Sequence, residues 1–222
     1  MTIDQAFQFI NFCCNKNQSG NISPSQFNML APLMQISVIN ELLGIDQKYQ
    51  PHSPVPNYGF GISQKVREEL RPIMVKPTTT AVASGIAVYP PDCLYLNANI
   101  TASDSSLITE ATSDEIAILN KSVIKPPTAT SPKFSVYSDG IYIFPSSITS
   151  IKLSYVRRPA TPVWAYTITN DVPVYTSSGS QDFELAETSH LLICMKILQA
   201  VGVNLNLDQV TAYAMQKEAV GA

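Results

Sequence analysis

Charge is what this sequence most lacks. Asp, Glu, Lys and Arg make up 14% of its 222 residues, against about 25% in ordinary soluble domains. Ser, Thr, Asn, Gln and 16 prolines replace the missing charge, while the hydrophobic share stays at an ordinary 45%. A surface poor in Lys and Glu resembles the inner part of a protein interface. A polar, loop-rich protein that works alone has the same composition, so both readings stand at this point. The net charge of −3 argues against a broad nucleic-acid footprint, which needs clustered Lys and Arg. The one tight basic spot is Arg157-Arg158, at the end of an apparent strand.

Residues that do chemistry are scarce as well. There are two histidines. His52 lies in a Pro-rich stretch without an acidic neighbour, and His190 has Glu187 three residues before it, a spacing that predicts a contact on a helix surface. Four cysteines, at 13, 14, 93 and 194, form no C-x-x-C. Adjacent Cys13 and Cys14 cannot readily pair, so buried thiols in a reducing compartment are expected. No G-x-S-x-G, P-loop, G-x-G-x-x-G or H-E-x-x-H occurs. Asp104, Glu110, Asp114 and Glu115 cluster without the spacing of a defined metal site, and read as a solvated face. No catalytic, cofactor-binding or metal-binding residue is therefore assigned, and no cofactor is expected. An enzyme whose site is assembled from distant residues is the remaining route to chemistry. No basic and apolar leader opens the chain, and no apolar run approaches about 18 residues. A soluble protein made in a cytoplasm is expected.

The chain does carry well-marked elements. Thr2 with Gln5 makes a capping box before Ile3, Ala6, Phe7, Ile10 and Cys14, which recur at helical spacing. After a polar turn, Ser23-Pro24-Ser25-Gln26 starts a second helix, with Gly44 as its stop and a kink or break expected at Pro32. Residues 46–61 hold three prolines, two glycines and three aromatics, the composition of an exposed loop. Its Tyr49, Tyr58 and Phe60 are candidate interface residues or fold back on their own domain. A short helix is predicted over Ser63 to Leu70, ended by Pro72.

From residue 73 to about 176 short β-rich runs take over. They fall at 73–76, 78–83, 86–89, 93–96, 134–137, 141–144, 151–157 and 164–168. Asp139-Gly140 between two such runs is a hairpin signal, and residues 107–121 are ambiguous between helix and strand. Helix returns over 184–201, and Asn206 with Gln209 caps a last one. The organisation expected is a helical part with a Pro-rich loop over 1–72, a β-rich module over 73–176, and a C-terminal helical part over 177–222 packing on the N-terminal helices. The fold class expected is α+β: N- and C-terminal helical hairpins packed together around an inserted, mainly antiparallel β-module.

Residues 151–218 carry a likeness of layout. A strand ends in Tyr155-Val156-Arg157-Arg158-Pro159, Trp164 follows on an aromatic strand, and Ser180-Gln181-Asp182-Phe183-Glu184-Leu185 opens a helix. With the aromatic first helix and Asn15 to Phe27, this resembles the neck proteins of tailed bacteriophages, the connector, adaptor or ring proteins of the crAss-like phage type. The resemblance touches about half of the chain and leaves 73–130 unmatched. It implies a structural virion protein that forms a dodecameric ring between portal and tail and encloses the DNA channel. It implies no enzymatic activity. The partners implied are further copies of the chain, the portal protein and other neck or tail proteins, with non-specific proximity to genomic DNA and no membrane. Arg157, Arg158 and Trp164 join the candidate interface residues. The alternative is a β-sandwich binding module of a virion, a receptor or glycan binder, with Tyr89, Tyr95, Tyr137, Tyr142 and Trp164 as stacking residues.

Overall fold

The structure is a computed structural model and describes residues 1–15, 20–44, 64–96, 100–102, 106–124 and 126–204. The chain divides into two compact units. One is helical and combines residues 1–44, 64–72 and 159–204; the other holds residues 73–158.

In the helical unit, α1 (Ile3–Asn15) opens on the Thr2–Gln5 capping box, whose two bonds measure 3.0 and 3.3 Å. Ile3, Ala6, Ile10 and Cys14 are its buried stripe. The helix α2 (Pro24–Leu42) starts on the same device, Ser23 with Gln26, and the backbone turns out at Gly44 with φ +72°. No break occurs at Pro32, which lies inside an unbroken helix. Polar anchors hold α2 on both sides of that proline: the Asn28 amide brackets the backbone of Trp164, and Gln35 Nε2 donates to Ala160 O. The short α3 (Gln64–Leu70) precedes a 3-10 turn. The helix α5 (Glu187–Asn204) packs against α1 and α2, and its Ile193, Cys194, Ile197 and Leu198 are fully buried. A salt bridge from Lys196 Nζ to Glu41, 3.1 Å, ties α5 to the end of α2.

The second unit is a closed barrel. Strands β1 (Met74–Ala83), β2 (Ile86–Ala87), β4 (Ile100–Ala102), β5 (Leu107–Glu110), β6 (Lys133–Tyr137), β7 (Gly140–Phe144) and β8 (Ser150–Arg157) pair in the ring β1-β2-β7-β6-β5-β4-β8, and β8 closes it on β1. Strand β3 (Cys93–Leu96) pairs with β8 beside β4. Every pair is antiparallel except β5–β6. Alternating residues fill the interior: Ile100, Ile108, Phe134, Ile141, Ile143, Ile151 and Leu153 form one buried cluster. The barrel is thus a packed core, as narrow barrels are. Expected as two runs starting at residue 73, residues 74–83 make one strand that bends. Two residues of β1, Lys76 and Pro77, stand opposite Ser154 alone. That bulge accommodates a residue without an N–H and adds the curvature that closure needs. Ser84-Gly85, both at positive φ, make the two-residue turn from β1 to β2.

The ambiguous stretch 107–121 is both things in turn: β5, then α4 (Ser113–Lys121). Thr112 and Glu115 form a reciprocal capping box between them, 2.9 and 3.3 Å, which switches the chain from strand to helix. A separate two-stranded sheet, β9 (Tyr166–Thr169) with β10 (Val172–Tyr175), belongs to the helical unit.

The expected fold, two terminal helical hairpins packed around an inserted β-module, is overturned. Five α-helices occur among the described residues, α3 and α4 outside any terminal hairpin, and the described C-terminal part holds the single helix α5. The strands close on themselves as a barrel, and one further hairpin stands apart from it. Hydrophobic spacing marks which face of each strand is buried, but not whether the last strand of a sheet finds the first. The expected helix after Asn206 lies outside the described residues.

Candidate functional site

Among the expected interface residues, Arg157 and Arg158 belong to the barrel unit and Trp164 to the helical unit. Tyr49, Tyr58 and Phe60 lie outside the described residues. Arg157 is half-buried at the end of β8, its Nη1 donating to Arg158 O at 3.3 Å. Arg158 is exposed, and its backbone N–H donates to Asp92 O at 2.7 Å. Asp92 also accepts from Tyr155 Oη at 3.0 Å, so the strand end is held by its acidic neighbour.

Trp164 is 4% exposed and organises the helical unit. Its indole stacks on Phe7 of α1 with centroids 4.3 Å apart, and its Nε1–H donates to Asp4 Oδ1 at 2.9 Å. Its backbone N–H and C=O are both engaged by the Asn28 side chain, at 2.8 and 3.0 Å. The free face of the ring meets Tyr166 and Tyr175 at 5.7 and 5.8 Å. Those two tyrosines are the base of the β9–β10 hairpin, where they stand opposite each other.

That hairpin is the most unusual surface of the described protein. Residues Tyr166 to Val174 are all exposed, with Ile168 at 71%, Val172 at 58% and Val174 at 47%. Tyr166, Ile168, Pro173 and Tyr175 share one face by register, and Val172 and Val174 lie on the other with Thr167 and Thr169. A two-stranded hairpin is at best marginal in water alone; this one is secured at its base by the Trp164 stack. Its tip is a two-residue turn with Asn170 and Asp171 both at positive φ, +51° and +61°. Asn-Asp between two alternating runs was the available signal for it.

Among the tyrosines, Tyr137 and Tyr142 form an edge-to-face pair on the outside of the barrel, 5.0 Å between centroids. Tyr142 Oη donates to Asp139 at 2.6 Å, which pushes its phenol up, while the bond with Ser113 holds that of Tyr137 down. Tyr89 accepts a bond from Cys93 Sγ at 3.3 Å, and burial pushes its phenol up. The expected β-sandwich with Trp164 as a sugar platform therefore loses both its sheet arrangement and its largest ring.

Of the acidic cluster, Asp104 lies outside the described residues. Glu110 and Glu115, with Ile118, Leu119 and Lys133, line a shallow groove of ≈ 270 Å³ beside α4. Glu115 is committed to its cap, where bonds from the Thr112 backbone N–H and hydroxyl hold its carboxyl below the ordinary carboxylate range. Lys133 Nζ donates to Thr109 Oγ1 at 2.7 Å. No group of three His, Cys, Asp or Glu that could hold a metal ion occurs among the described residues. No helix among them is long and apolar enough to cross a membrane.

His190 does not make the expected surface pair. It is buried, with both ring nitrogens 3.0 Å from backbone carbonyls, those of Met1 and Leu185. Glu187 turns instead to the ammonium of Met1 at 2.6 Å, which holds its carboxyl below the usual range. Spacing along a helix fixes which residues share a face, and this face is the one the chain start covers. The cysteines carry free thiols, Cys14 and Cys194 buried, and burial pushes the Cys194 thiol up to about 12. Compared with known proteins, the chain matches no family model and no curated protein.

Proposed function

We propose that this chain is a structural protein of a phage virion, a neck ring subunit that stacks between portal and tail and surrounds the path of the DNA. The observation that carries the assembly half of this reading is the β9–β10 hairpin: nine consecutive exposed residues, apolar on both faces, with no third strand paired to it among the described residues. A strand edge with apolar side chains invites pairing with another chain, and monomers blunt such edges with charge, with proline or by keeping them short. Pro173 blunts the β10 edge, which leaves β9 as the edge that can pair. Here the sole charge between Pro159 and Gln181 is Asp171. Helix α2 adds to it, exposing Met29 and Leu33 and carrying no charge before Glu41. A ring needs a head-to-tail interface that closes, and an exposed hairpin that seats on the next copy is such a device. The net charge of −3 suits a wall past which DNA slides. The virion and neck parts rest on the resemblance of residues 1–27 and 151–218.

The test is the mass of the purified full chain by sedimentation velocity, alone and mixed with the portal protein of the same virion. A higher oligomer or a complex with portal, weakened by Ile168→Lys with Val174→Glu, is the expected result. A monomer at high concentration that ignores portal overturns the reading.

A further inference from the structure

We propose that His190 is a proton-operated latch that holds the start of α1 against the start of α5. The geometry is specific. Nδ1 lies 3.0 Å from Met1 O and Nε2 lies 3.0 Å from Leu185 O. A carbonyl oxygen only accepts, so both bonds exist together only when both ring nitrogens carry hydrogens. The neutral ring has one bare nitrogen, and that lone pair then faces a carbonyl lone pair at a residue only 5% exposed. The Phe183 ring, its centroid 5.6 Å from that of the imidazole, is a second feature that suits the cation.

The charged groups around the ring are few and identifiable. Glu187 lies one turn earlier on α5 and pairs with the Met1 ammonium. From the segment before α5, Asp182 Oδ1 accepts the Ile3 N–H at 2.6 Å. From α3, Glu69 accepts from Ser189 Oγ at 3.1 Å. Ile3 N–H and Met1 O are thus both held from the 182–190 segment, and loss of the Nδ1 proton removes half of that clasp. Histidine is the side chain that titrates between pH 5 and 8 without special help. The latch is closed while both ring nitrogens carry hydrogens and loosens when Nδ1 loses its own.

The test uses the full chain. Imidazole nitrogen NMR, with His52→Gln removing the other histidine, follows the two ring nitrogens of His190 against pH. In parallel, amide exchange of Asp4 to Phe7, normalised to intrinsic rates, reports the start of α1. Both nitrogens protonated in acid, with exchange rising about tenfold over the same pH interval as one proton leaves, is the expected result; a hydrogen bond to a charged group has this weight. His190→Gln, which keeps one donor, abolishes the pH response of exchange. A single-tautomer neutral ring throughout, or normalised exchange that does not follow the ring titration, overturns the latch. The wild-type comparison decides even where the variant fails to fold.

Discussion

Replacing Trp164 by Ala discriminates most sharply between a residue that builds the monomer and one that waits for a partner. The ring is 4% exposed and stacked on Phe7, with Tyr166 and Tyr175 on its other side. Truncating a buried Trp or Phe to Ala costs about 3–5 kcal/mol through lost burial and the cavity left behind. At roughly 2–4 °C per kcal/mol for a chain of this size, that is a fall in Tm of roughly 10 °C. Trp164→Phe separates the two contributions. It keeps most of the stack and removes the Nε1–H donor to Asp4, which costs about 1.5 kcal/mol, the low end for a bond to a charged group, because Asp4 is partly solvated. In an Asp4→Asn background the same change costs less, and the difference is the coupling of the pair. Trp164 is the sole tryptophan, so the assay is urea unfolding followed by circular dichroism rather than fluorescence. Should the two units unfold in separate steps, the step of the helical unit shifts. A loss under about 1 kcal/mol for Trp164→Ala would refute burial in the monomer, because exposed substitutions stay within roughly that range.

Gly140→Ala tests the barrel: a Cβ there would sit 2.7 Å from Ala87 O and 3.0 Å from Ile86 Cγ2, and overpacking of this kind costs about 1–3 kcal/mol by chemical denaturation. Thr112→Ala removes the cap of α4 and costs about 1 kcal/mol in the same assay. The Glu115 half of that cap is pH-dependent. Its folded carboxyl is depressed, so its stabilisation is present above the ordinary carboxylate value and is lost as pH falls through the lower folded one. Glu115→Gln, which retains the cap, should flatten the acid limb of a stability-against-pH curve; an unchanged limb counts against the cap. Thiol titration of the native protein should leave Cys14 and Cys194 unreacted until denaturant is added, and prompt labelling of either would contradict their burial.

Local chemistry was legible in the sequence wherever neighbours along the chain decide the outcome. Thr2–Gln5 and Ser23–Gln26 cap their helices as their spacing dictates, because a capping box needs only three residues' separation. The strands around Asp139-Gly140 and at 93–96 and 151–157 follow from alternation and β-branched content. The hairpin signal there holds at Gly140, which has φ +157°, and glycine is required there also because β2 approaches its Cα too closely for a Cβ. What the sequence by itself determined, then, was the identity of most elements and which of their faces turn inward.

The tertiary structure alone decided three things. It closed the sheet, because pairing of β8 with β1 joins residues 69 to 82 apart in the chain, across a bulge at Lys76-Pro77. It buried Trp164 and His190, whose partners Asp4, Asn28 and Met1 lie far off in the chain. Aromatic and ionisable side chains are amphipathic, so spacing cannot tell a ring that faces a partner from one that faces its own core. It also left Ile168, Val172 and Val174 uncovered. Hydrophobic residues on a strand predict burial, and only the arrangement of everything else shows that nothing described in this chain covers them.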